Sequence, residues 1–167
     1  MINLTIREAV PDDIQALVNI YNHYVLETHV TFDLDPVDVE ARLSWLHQYN
    51  QNPRHRLFVG ISNDEVIGYA SSSEFRVKPA FNQSVETTIY LSPAAQGNGF
   101  GAQLYGHLLR SLDKTDVHRC YGIIALPNDA SVALHTGLGF IEAGKLSEVG
   151  YKFKQYWDTL WMERTSP

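Results

Sequence analysis

The chain contains one cysteine, so an internal disulfide bond is excluded. That residue, Cys120, lies within the apolar segment 118–125, which is typical of a small core residue and not of a nucleophile. Basic residues are also few: 13 lysines and arginines stand against 19 aspartates and glutamates, the formal net charge is −6, and no basic run occurs. Because affinity for nucleic acid comes largely from neutralising phosphates, this balance argues against nucleic acid as a partner.

Long apolar runs are missing as well. No stretch approaches the roughly 18 apolar residues of a transmembrane helix, and the first residues, Met-Ile-Asn-Leu-Thr-Ile-Arg-Glu, show neither a positive leader nor an uninterrupted apolar stretch. We therefore expect a cytoplasmic protein without a membrane partner. The histidines show no HxxxH spacing, so no metal site is predicted. With 44% hydrophobic content in 167 residues, the chain is predicted to form one domain, 1–167.

The most informative segment is 85–101, VETTIYLSPAAQGNGFG. A β-branched strand runs through a proline turn into three alternating glycines, and an apolar helical stripe follows at Leu104, Leu108, Leu109 and Leu112. A strand, a glycine turn and a helix N-terminus in succession leave backbone N–H groups unpaired and directed at one spot, where a pyrophosphate can bind. The segment therefore predicts a binding site for a phosphate-bearing cofactor.

Two nucleotide-binding motifs are similar to this segment, and the residues disfavour both. A P-loop requires lysine and then serine or threonine after its last glycine, and the chain has neither there. The dinucleotide fingerprint GxGxx(G/A) matches residues 97–102, but five residues separate it from the strand end at Leu91, where a dinucleotide turn would start. Asp113 and Asp116 precede the next predicted strand, 118–125, although a ribose-binding acid should follow it.

The hydrophobic pattern alternates strands and helices along the whole chain. Strands are predicted at 4–8, 56–62, 66–74, 85–91 and 118–125, with two more in the aromatic C-terminal stretch. Helices are predicted from Pro11 to Val25 and at 36–49, 100–113 and 129–138, with Gly139 ending the last one. This order indicates an α/β fold whose sheet is antiparallel early and parallel where the glycine-led helix crosses over.

Two blocks together resemble a known superfamily. The segment 96–101, QGNGFG, is similar to the acetyl-CoA pyrophosphate loop, (Q/R)xxGx(G/A), of the GNAT superfamily of N-acetyltransferases. The segment 128–140, NDASVALHTGLGF, is similar to that superfamily's NxxSxxLHxxLGF block, in the order and at the spacing of a βαβ unit. The resemblance implies a single GNAT-type domain, with a mixed, mostly antiparallel sheet, a parallel splayed strand pair at the acetyl-CoA site and flanking helices.

Within the superfamily the closer resemblance is to the phosphinothricin acetyltransferase-like enzymes, which N-acetylate small amino acids and analogues such as methionine sulfoximine or methionine sulfone. It covers roughly residues 4–163, and the residues that carry it are Asn22, His23, Tyr24, Thr28, Phe32, Glu86 and the turn 126–129, LPND. The resemblance implies an acetyl-CoA-dependent enzyme without a metal, a small-molecule amine as substrate, and a homodimer.

The resemblance also implies how acetyl-CoA is bound. The main chain of 89–91 is expected to contact the acetyl and pantetheine end, and the amides of 97–102 are expected to hold the pyrophosphate. Asn128 is expected to cap its helix and to offer its amide to pantetheine. The predicted cofactor-binding residues are Ile89, Tyr90, Leu91, Gln96, Gly97, Asn98, Gly99, Phe100, Gly101, Ala102, Asn128 and Ser131.

Glu86 and His135 are the candidate catalytic residues. By the two-residue period of a strand, Glu86 shares a face with Thr88 and Tyr90, where a general base can accept the proton of the amine. A glutamate on a solvated strand face is the alternative. His135 stands where many superfamily members carry tyrosine, and it either protonates the departing thiolate of CoA or only hydrogen-bonds CoA.

The irregular segment 74–82 is the candidate acceptor-binding loop. Arg76 can bind a carboxylate or phosphinate bidentately beside aromatic walls, although a solvated basic loop is the alternative. The predicted substrate-binding residues are Phe75, Arg76, Val77, Lys78, Glu86, Thr87 and Thr88. Two other functions stay open at this point: acetylation of a protein N-terminus, and a non-catalytic acyl-CoA sensor.

Overall fold

A computed structural model describes residues 3–49 and 51–167, so residues 1, 2 and 50 of the predicted domain lie outside it. Seven strands within these ranges form one sheet: β1 (Thr5–Glu8), β2 (Leu57–Ser62), β3 (Glu65–Glu74), β4 (Ser84–Leu91), β5 (Arg119–Ala125), β6 (Ile141–Lys152) and β7 (Gln155–Thr165). Their spatial order is β1-β2-β3-β4-β5-β7-β6, and every neighbouring pair is antiparallel except β4 and β5. The predicted mixed, mostly antiparallel sheet is confirmed.

Four α-helices in the described ranges flank the sheet: α1 (Ile14–Glu27), α2 (Val39–Leu46), α3 (Phe100–Leu112) and α4 (Asp129–Gly137). Two apolar cores result. The apolar side of α1 packs with Leu57, Val59 and Tyr69 of the sheet, whereas α3 packs with Val85 and Cys120 on the opposite face. The sheet therefore has one apolar core on each of its two faces. Cys120 is fully buried, as predicted, and burial raises the pKa of its thiol to about 11.

Helix α2 is shorter at both ends than the predicted helix 36–49. It begins after Asp38, whose carboxylate accepts a hydrogen bond from Ala41 N at 2.7 Å and so caps the first turn. It ends at Leu46, because the chain then turns through His47 and Gln48. Helix α1 begins at Ile14, three residues after the predicted start, because Pro11–Asp13 forms a 3-10 turn. The remaining helix boundaries lie within two residues of the prediction, and Gly139, with φ +88°, follows α4 in the left-handed region.

The parallel pair β4 and β5 is joined over only three residue pairs. The pairing starts at Ser84 with Arg119 and ends at Glu86 with Tyr121, although both strands continue. Beyond this point the two strands diverge, so the predicted splay is present. In a gap between adjacent strands, the peptide N–H and C=O groups that would otherwise bond across the sheet are left free to bind a ligand.

None of the helices in residues 3–49 and 51–167 is long and apolar enough to cross a membrane. The same part of the chain brings no three or more His, Cys, Asp or Glu side chains together as a metal site.

Candidate active site

The gap between β4 and β5 opens into a cleft of about 680 Å³. Its walls come from four regions: the diverging ends of the two strands, the glycine loop with the start of α3, the first turns of α4, and the end of α1. Of the predicted cofactor-binding residues, the cleft is lined by Ile89, Tyr90, Leu91, Gln96, Gly97, Gly99, Gly101, Ala102, Asn128 and Ser131. The structure thus brings most of the predicted set into one cavity.

The glycine loop presents free amides to this cleft. Gly97 and Gly99 have φ values of +77° and +75°, a conformation that other residues adopt only with strain. Gln103 N–H donates to Gly99 O at 3.3 Å, and the amides of residues 97–102 have no protein acceptor in the described part of the chain. These amides and the positive end of the α3 dipole suit a diphosphate, so the residues present fit the phosphate end of CoA.

The end of β4 presents peptide groups in the same way. Ser92 N–H donates to Ile67 O at 2.8 Å, on the β3 side. Because peptide groups alternate along a strand, those of Ile89 and Leu91 point the other way, into the cleft. Tyr24 of α1 donates its hydroxyl hydrogen to the carbonyl oxygen of Leu91, and the Gln96 side chain donates to the Tyr24 oxygen at 2.8 Å. Helix α1 is thereby tied to the glycine loop.

Asn128 caps α4 as expected, since its side-chain oxygen accepts a hydrogen bond from Ser131 N at 3.2 Å. Two predicted cofactor residues support the loop and do not line the cleft. Phe100 is buried in the core beneath the loop, and Asn98 donates its side-chain amide to the carbonyl oxygens of Ala95 and Gln96 at 3.4 and 3.1 Å. Both therefore hold the shape of the turn.

Glu86 lies on the sheet face opposite α3, at the position where the pairing of β4 with β5 ends. Its neighbour across the strands is Tyr121, and Thr88 follows on the same face. Glu86 is half-buried, and burial raises the pKa of its carboxyl, while the positive charge of Arg76 partly offsets this rise. Glu86 itself does not line the cleft, whose wall on β4 begins at the next residue, Thr87. A carboxylate with a raised pKa at the edge of a cleft is a candidate general base.

An aromatic wall stands beside Glu86. The ring of Phe75 stacks on Tyr121 with centroids 4.4 Å apart, and it meets Trp161 edge-on at 6.3 Å. The Arg76 guanidinium lies 4.4 Å from the centroid of Phe75 and 5.4 Å from that of Trp161. A cation held over aromatic rings next to a carboxylate can recognise an anionic group on a substrate. Tyr121 and Trp161 are not among the predicted site residues, and they come to this site through the pairing of β5 with β7.

The other predicted substrate residues lie in different places. Val77 is exposed on the surface, and Lys78 starts a 3-10 turn that is also exposed. Thr88 lines the cleft on the Glu86 face, where its hydroxyl lies 2.9 Å from that of Ser71. Thr87 also borders the cleft, but it points to the α3 face and is 2% exposed. The structure therefore does not place Thr87, Val77 or Lys78 beside the Glu86 carboxylate.

His135 lines the cleft from α4 but is 4% exposed. Both ring nitrogens have protein partners: Nδ1 lies 2.8 Å from the carbonyl oxygen of Ser131, and Nε2 lies 3.1 Å from the hydroxyl oxygen of Tyr105. Burial lowers the pKa of the ring, so it is neutral at neutral pH.

The glycine loop, the splayed strands and the capped α4 match a known family. The profile described as "Acetyltransferase (GNAT) domain" matches residues 6–161. The chain belongs to the GNAT acetyltransferase family. A protein of Streptomyces coelicolor named phosphinothricin N-acetyltransferase is 45% identical over 95% of this chain and 94% of its own length.

Solved structures of GNAT proteins superpose closely. The crystal structure of a ribosomal-protein-alanine N-acetyltransferase from Brucella melitensis has a TM-score of 0.93 at 35% identity, covering 96% of this chain and 99% of that one. A GNAT superfamily phosphinothricin acetyltransferase from Sinorhizobium meliloti, solved with acetyl-CoA, has a TM-score of 0.91 at 31% identity, covering 98% and 88%. This GNAT protein is an acetyl-CoA-dependent N-acetyltransferase similar to the phosphinothricin acetyltransferases, and the predicted family, fold and acetyl donor are confirmed.

Proposed function

We propose that the enzyme transfers acetyl from acetyl-CoA to the amine of a small amino acid or analogue of the phosphinothricin, methionine sulfoximine or methionine sulfone type. The amine attacks directly, in a ternary complex, with Glu86 as general base. The observation that carries this proposal is the place of Glu86: a half-buried carboxylate where β4 and β5 part, with Arg76 close enough to affect its pKa. The glycine-loop amides bind the pyrophosphate, and acetyl-CoA supplies the activated acetyl thioester when bound.

The base is needed because the attacking amine must be neutral. An α-amino group has a reference pKa of about 8, so much of it carries an extra proton at neutral pH. Glu86 accepts the amine proton, directly or through one water, and its raised pKa makes it a better acceptor than an exposed glutamate. Above that pKa it is ionised and competent, so activity is expected to fall as the pH drops through it.

The oxygen of the thioester carbonyl gains negative charge as the amine attacks, and hydrogen-bond donors that are already in position stabilise this charge. The N–H groups of Ile89 and Leu91 point into the cleft and have no strand partner there, because pairing with β5 has already ended. Such donors act without reorganising during the reaction. A negatively charged group of the acceptor binds Arg76, while Phe75 and Trp161 form the wall beneath that guanidinium.

One rival is acetylation of a protein N-terminus, which the name of the Brucella melitensis structure brings forward. A peptide needs an open groove along the Glu86 face, whereas a guanidinium held over two aromatic rings suits a small anionic acceptor. A second rival is a non-catalytic acyl-CoA sensor, and that function gives no role to the half-buried carboxylate of Glu86.

A free-thiol release assay separates these functions. Acetyl-CoA is offered with phosphinothricin, methionine sulfoximine, methionine sulfone, common amino acids, polyamines and an Ala-initiated peptide. Turnover is expected with the small anionic amino acids and analogues; preference for the peptide supports the first rival, and CoA binding without any transfer supports the second. Glu86→Gln should lower kcat about 10²- to 10⁴-fold while CoA still binds, because the base is lost and the cleft is not. Unchanged turnover in that variant would contradict the role of Glu86.

We also propose a homodimer in the cytoplasm. Large apolar side chains are exposed along the β6 and β7 hairpin, and a second subunit would cover them: Leu146, Val149, Tyr151, Phe153 and Tyr156. Sedimentation velocity should give the mass of a dimer, and Tyr156→Glu should shift it toward the monomer. A wild-type monomer at micromolar concentration would rule out this assembly.

A further inference from the structure

A chain of buried hydrogen bonds joins four elements at the point where β4 and β5 part. The hydroxyl oxygen of Thr87 on β4 lies 3.1 Å from the Tyr121 carbonyl oxygen on β5 and 2.7 Å from the Tyr105 hydroxyl on α3. That hydroxyl lies 3.1 Å from His135 Nε2 on α4, whose Nδ1 contacts the Ser131 carbonyl oxygen at 2.8 Å. The side chains of Thr87, Tyr105 and His135 are 2%, 0% and 4% exposed.

The direction of this chain follows from which atoms can donate. The carbonyl oxygen of Ser131 only accepts, so Nδ1 of His135 carries the hydrogen. Nε2 of the neutral ring then has none and must accept from Tyr105. Because Tyr105 has one hydroxyl hydrogen, Thr87 donates to Tyr105 or to the Tyr121 carbonyl. The single hydrogen of the imidazole is thus donated to the carbonyl oxygen of Ser131 in the α4 backbone, and the Ser131 hydroxyl lies 3.4 Å from the same nitrogen.

A second observation shows that the imidazole supports β5 itself. A Cβ atom at Gly122, the residue that follows the end of the β4–β5 pairing, would lie 2.5 Å from His135 Nε2. The ring therefore occupies the space that a side chain of β5 would take at the start of the splay. It also packs against Tyr105 and Phe140 with centroids 5.0 Å away in each case.

We propose that Thr87 and Tyr105 are positioning residues that hold the β4–β5 cleft open for acetyl-CoA, with His135 as their hydrogen-bond anchor and not as the acid that protonates the departing thiolate. The proposal rests on the cleft as the acetyl-CoA site. Burial, which lowers the pKa of His135, agrees with it, and Tyr105 is the titratable side chain in contact with the ring. The network ties both strands to both helices that border the cleft, so losing one hydroxyl frees the strand ends.

Isothermal titration with CoA tests the positioning role. Thr87→Val keeps the β-branched shape but loses the hydroxyl, and Tyr105→Phe keeps the ring but loses the donor to His135. Each is expected to weaken CoA binding about tenfold and to raise the KM for acetyl-CoA more than it lowers kcat. Thr87→Ser, which restores the hydroxyl, should bind CoA within twofold of wild type. A role in stability alone would lower Tm in the folded variants and leave the CoA affinity unchanged, and that result would overturn the proposal.

The state of His135 is tested in the wild-type enzyme by ¹⁵N NMR of labelled histidine. The expected spectrum shows the Nδ1–H form of a neutral ring from pH 7 to 8, with CoA bound or absent. A hydrogen on Nε2, or titration within that range, would overturn the anchor role. His135→Gln removes both the titratable group and the anchor, so it is expected to weaken CoA binding about tenfold and to raise the KM for acetyl-CoA more than it lowers kcat; a kcat lowered more than tenfold with unchanged CoA affinity would identify the acid and overturn the anchor role.

The outcomes also separate this inference from the proposed function. If wild-type enzyme binds CoA and acetylates a small amino acid while Thr87→Val binds CoA equally well, only the inference fails. If the wild type binds no CoA, both fail.

Discussion

Replacement of Gly99 by alanine tests the glycine loop most directly. Gly99 has φ +75°, and an added Cβ would meet no protein atom within 4 Å, so a steric clash with the rest of the chain is excluded. The loss of stability then comes from the backbone conformation. Alanine in the left-handed region destabilises the folded state by about 1–2 kcal/mol, and the lower conformational entropy of the unfolded chain offsets about 0.4–1 kcal/mol of this loss. For a chain of this size a net loss of about 1 kcal/mol corresponds to a Tm lower by roughly 2–4 °C.

Two other glycines provide matched controls. Gly139 has φ +88° and equally open space around its Cβ position, but it follows α4 away from the loop. Gly139→Ala should therefore lower Tm by about the same amount. Gly137 is the last residue of α4, with open space and no positive φ, and alanine is a better helix former than glycine by up to about 1 kcal/mol. Gly137→Ala should leave Tm unchanged or raise it.

The CoA affinities distinguish the three variants. Strain at Gly99 turns the amides of residues 97–102 away from their common target, and a loss of about 1.4 kcal/mol in binding is a tenfold weaker Kd. Calorimetric titration should show that loss for Gly99→Ala, with Gly139→Ala and Gly137→Ala within twofold of wild type. If Gly99→Ala loses stability yet binds CoA as tightly as wild type, the loop does not hold the pyrophosphate.

Three further predictions concern other parts of the molecule. Arg76→Gln removes a charge that lowers the pKa of Glu86, so the acid limb of the kcat/KM profile should move to higher pH. Arg76→Lys keeps the charge and should leave the acid limb in place. A profile that does not move in either variant would show that Arg76 does not influence the pKa of the catalytic base. Gly122→Ala forces a Cβ within 2.5 Å of His135 Nε2, and overpacking should cost roughly 1–3 kcal/mol of stability by chemical denaturation; a cost below about 0.5 kcal/mol would show that the imidazole is free to move. Asp113 pairs with Arg164 and its pKa is lowered, so this pair stabilises the fold above the ordinary aspartate pKa and the stabilisation is lost as the pH falls through the lowered value. Asp113→Asn should therefore lower Tm at pH 7 and lower it progressively less as the pH falls below the ordinary aspartate pKa, and an equal effect at every pH would exclude this linkage.

Much of the fold follows from local pattern. The strands and helices around the glycine loop are fixed by features that act within a few residues: alternating side chains in β4, positive φ at glycine, and an amphipathic stripe in α3. The predicted helix 36–49 is longer than α2 for two reasons. The sequence offers two helix starts, Pro36 and the Asp38 cap, and the structure uses the second. The turn that ends the helix after Leu46 contains no glycine or proline that would indicate it in the sequence.

The acceptor side of the site depends on distant pairing, which the sequence pattern does not encode. Trp161 reaches the site because it pairs with Ile123, and this register depends on where β7 lies in the sheet. A C-terminal strand rich in aromatic residues has several positions in which it can pair, and each one brings different side chains to the cleft. Tyr121 is within the predicted strand, but its role follows only from its contact with Phe75.

Strand β4 directs neighbouring residues with different proposed roles to opposite faces of the sheet. Glu86 and Thr88 extend toward the acceptor face, whereas Thr87 extends toward α3 and the hydrogen-bond network of Tyr105 and His135. Grouping Thr87 with Thr88 as substrate contacts follows their adjacency in sequence, but the two-residue period of a strand places them on opposite sides. The proposed roles in proton transfer and in cofactor positioning are therefore separable: a change at position 86 should act on kcat, and a change at position 87 on the affinity for CoA.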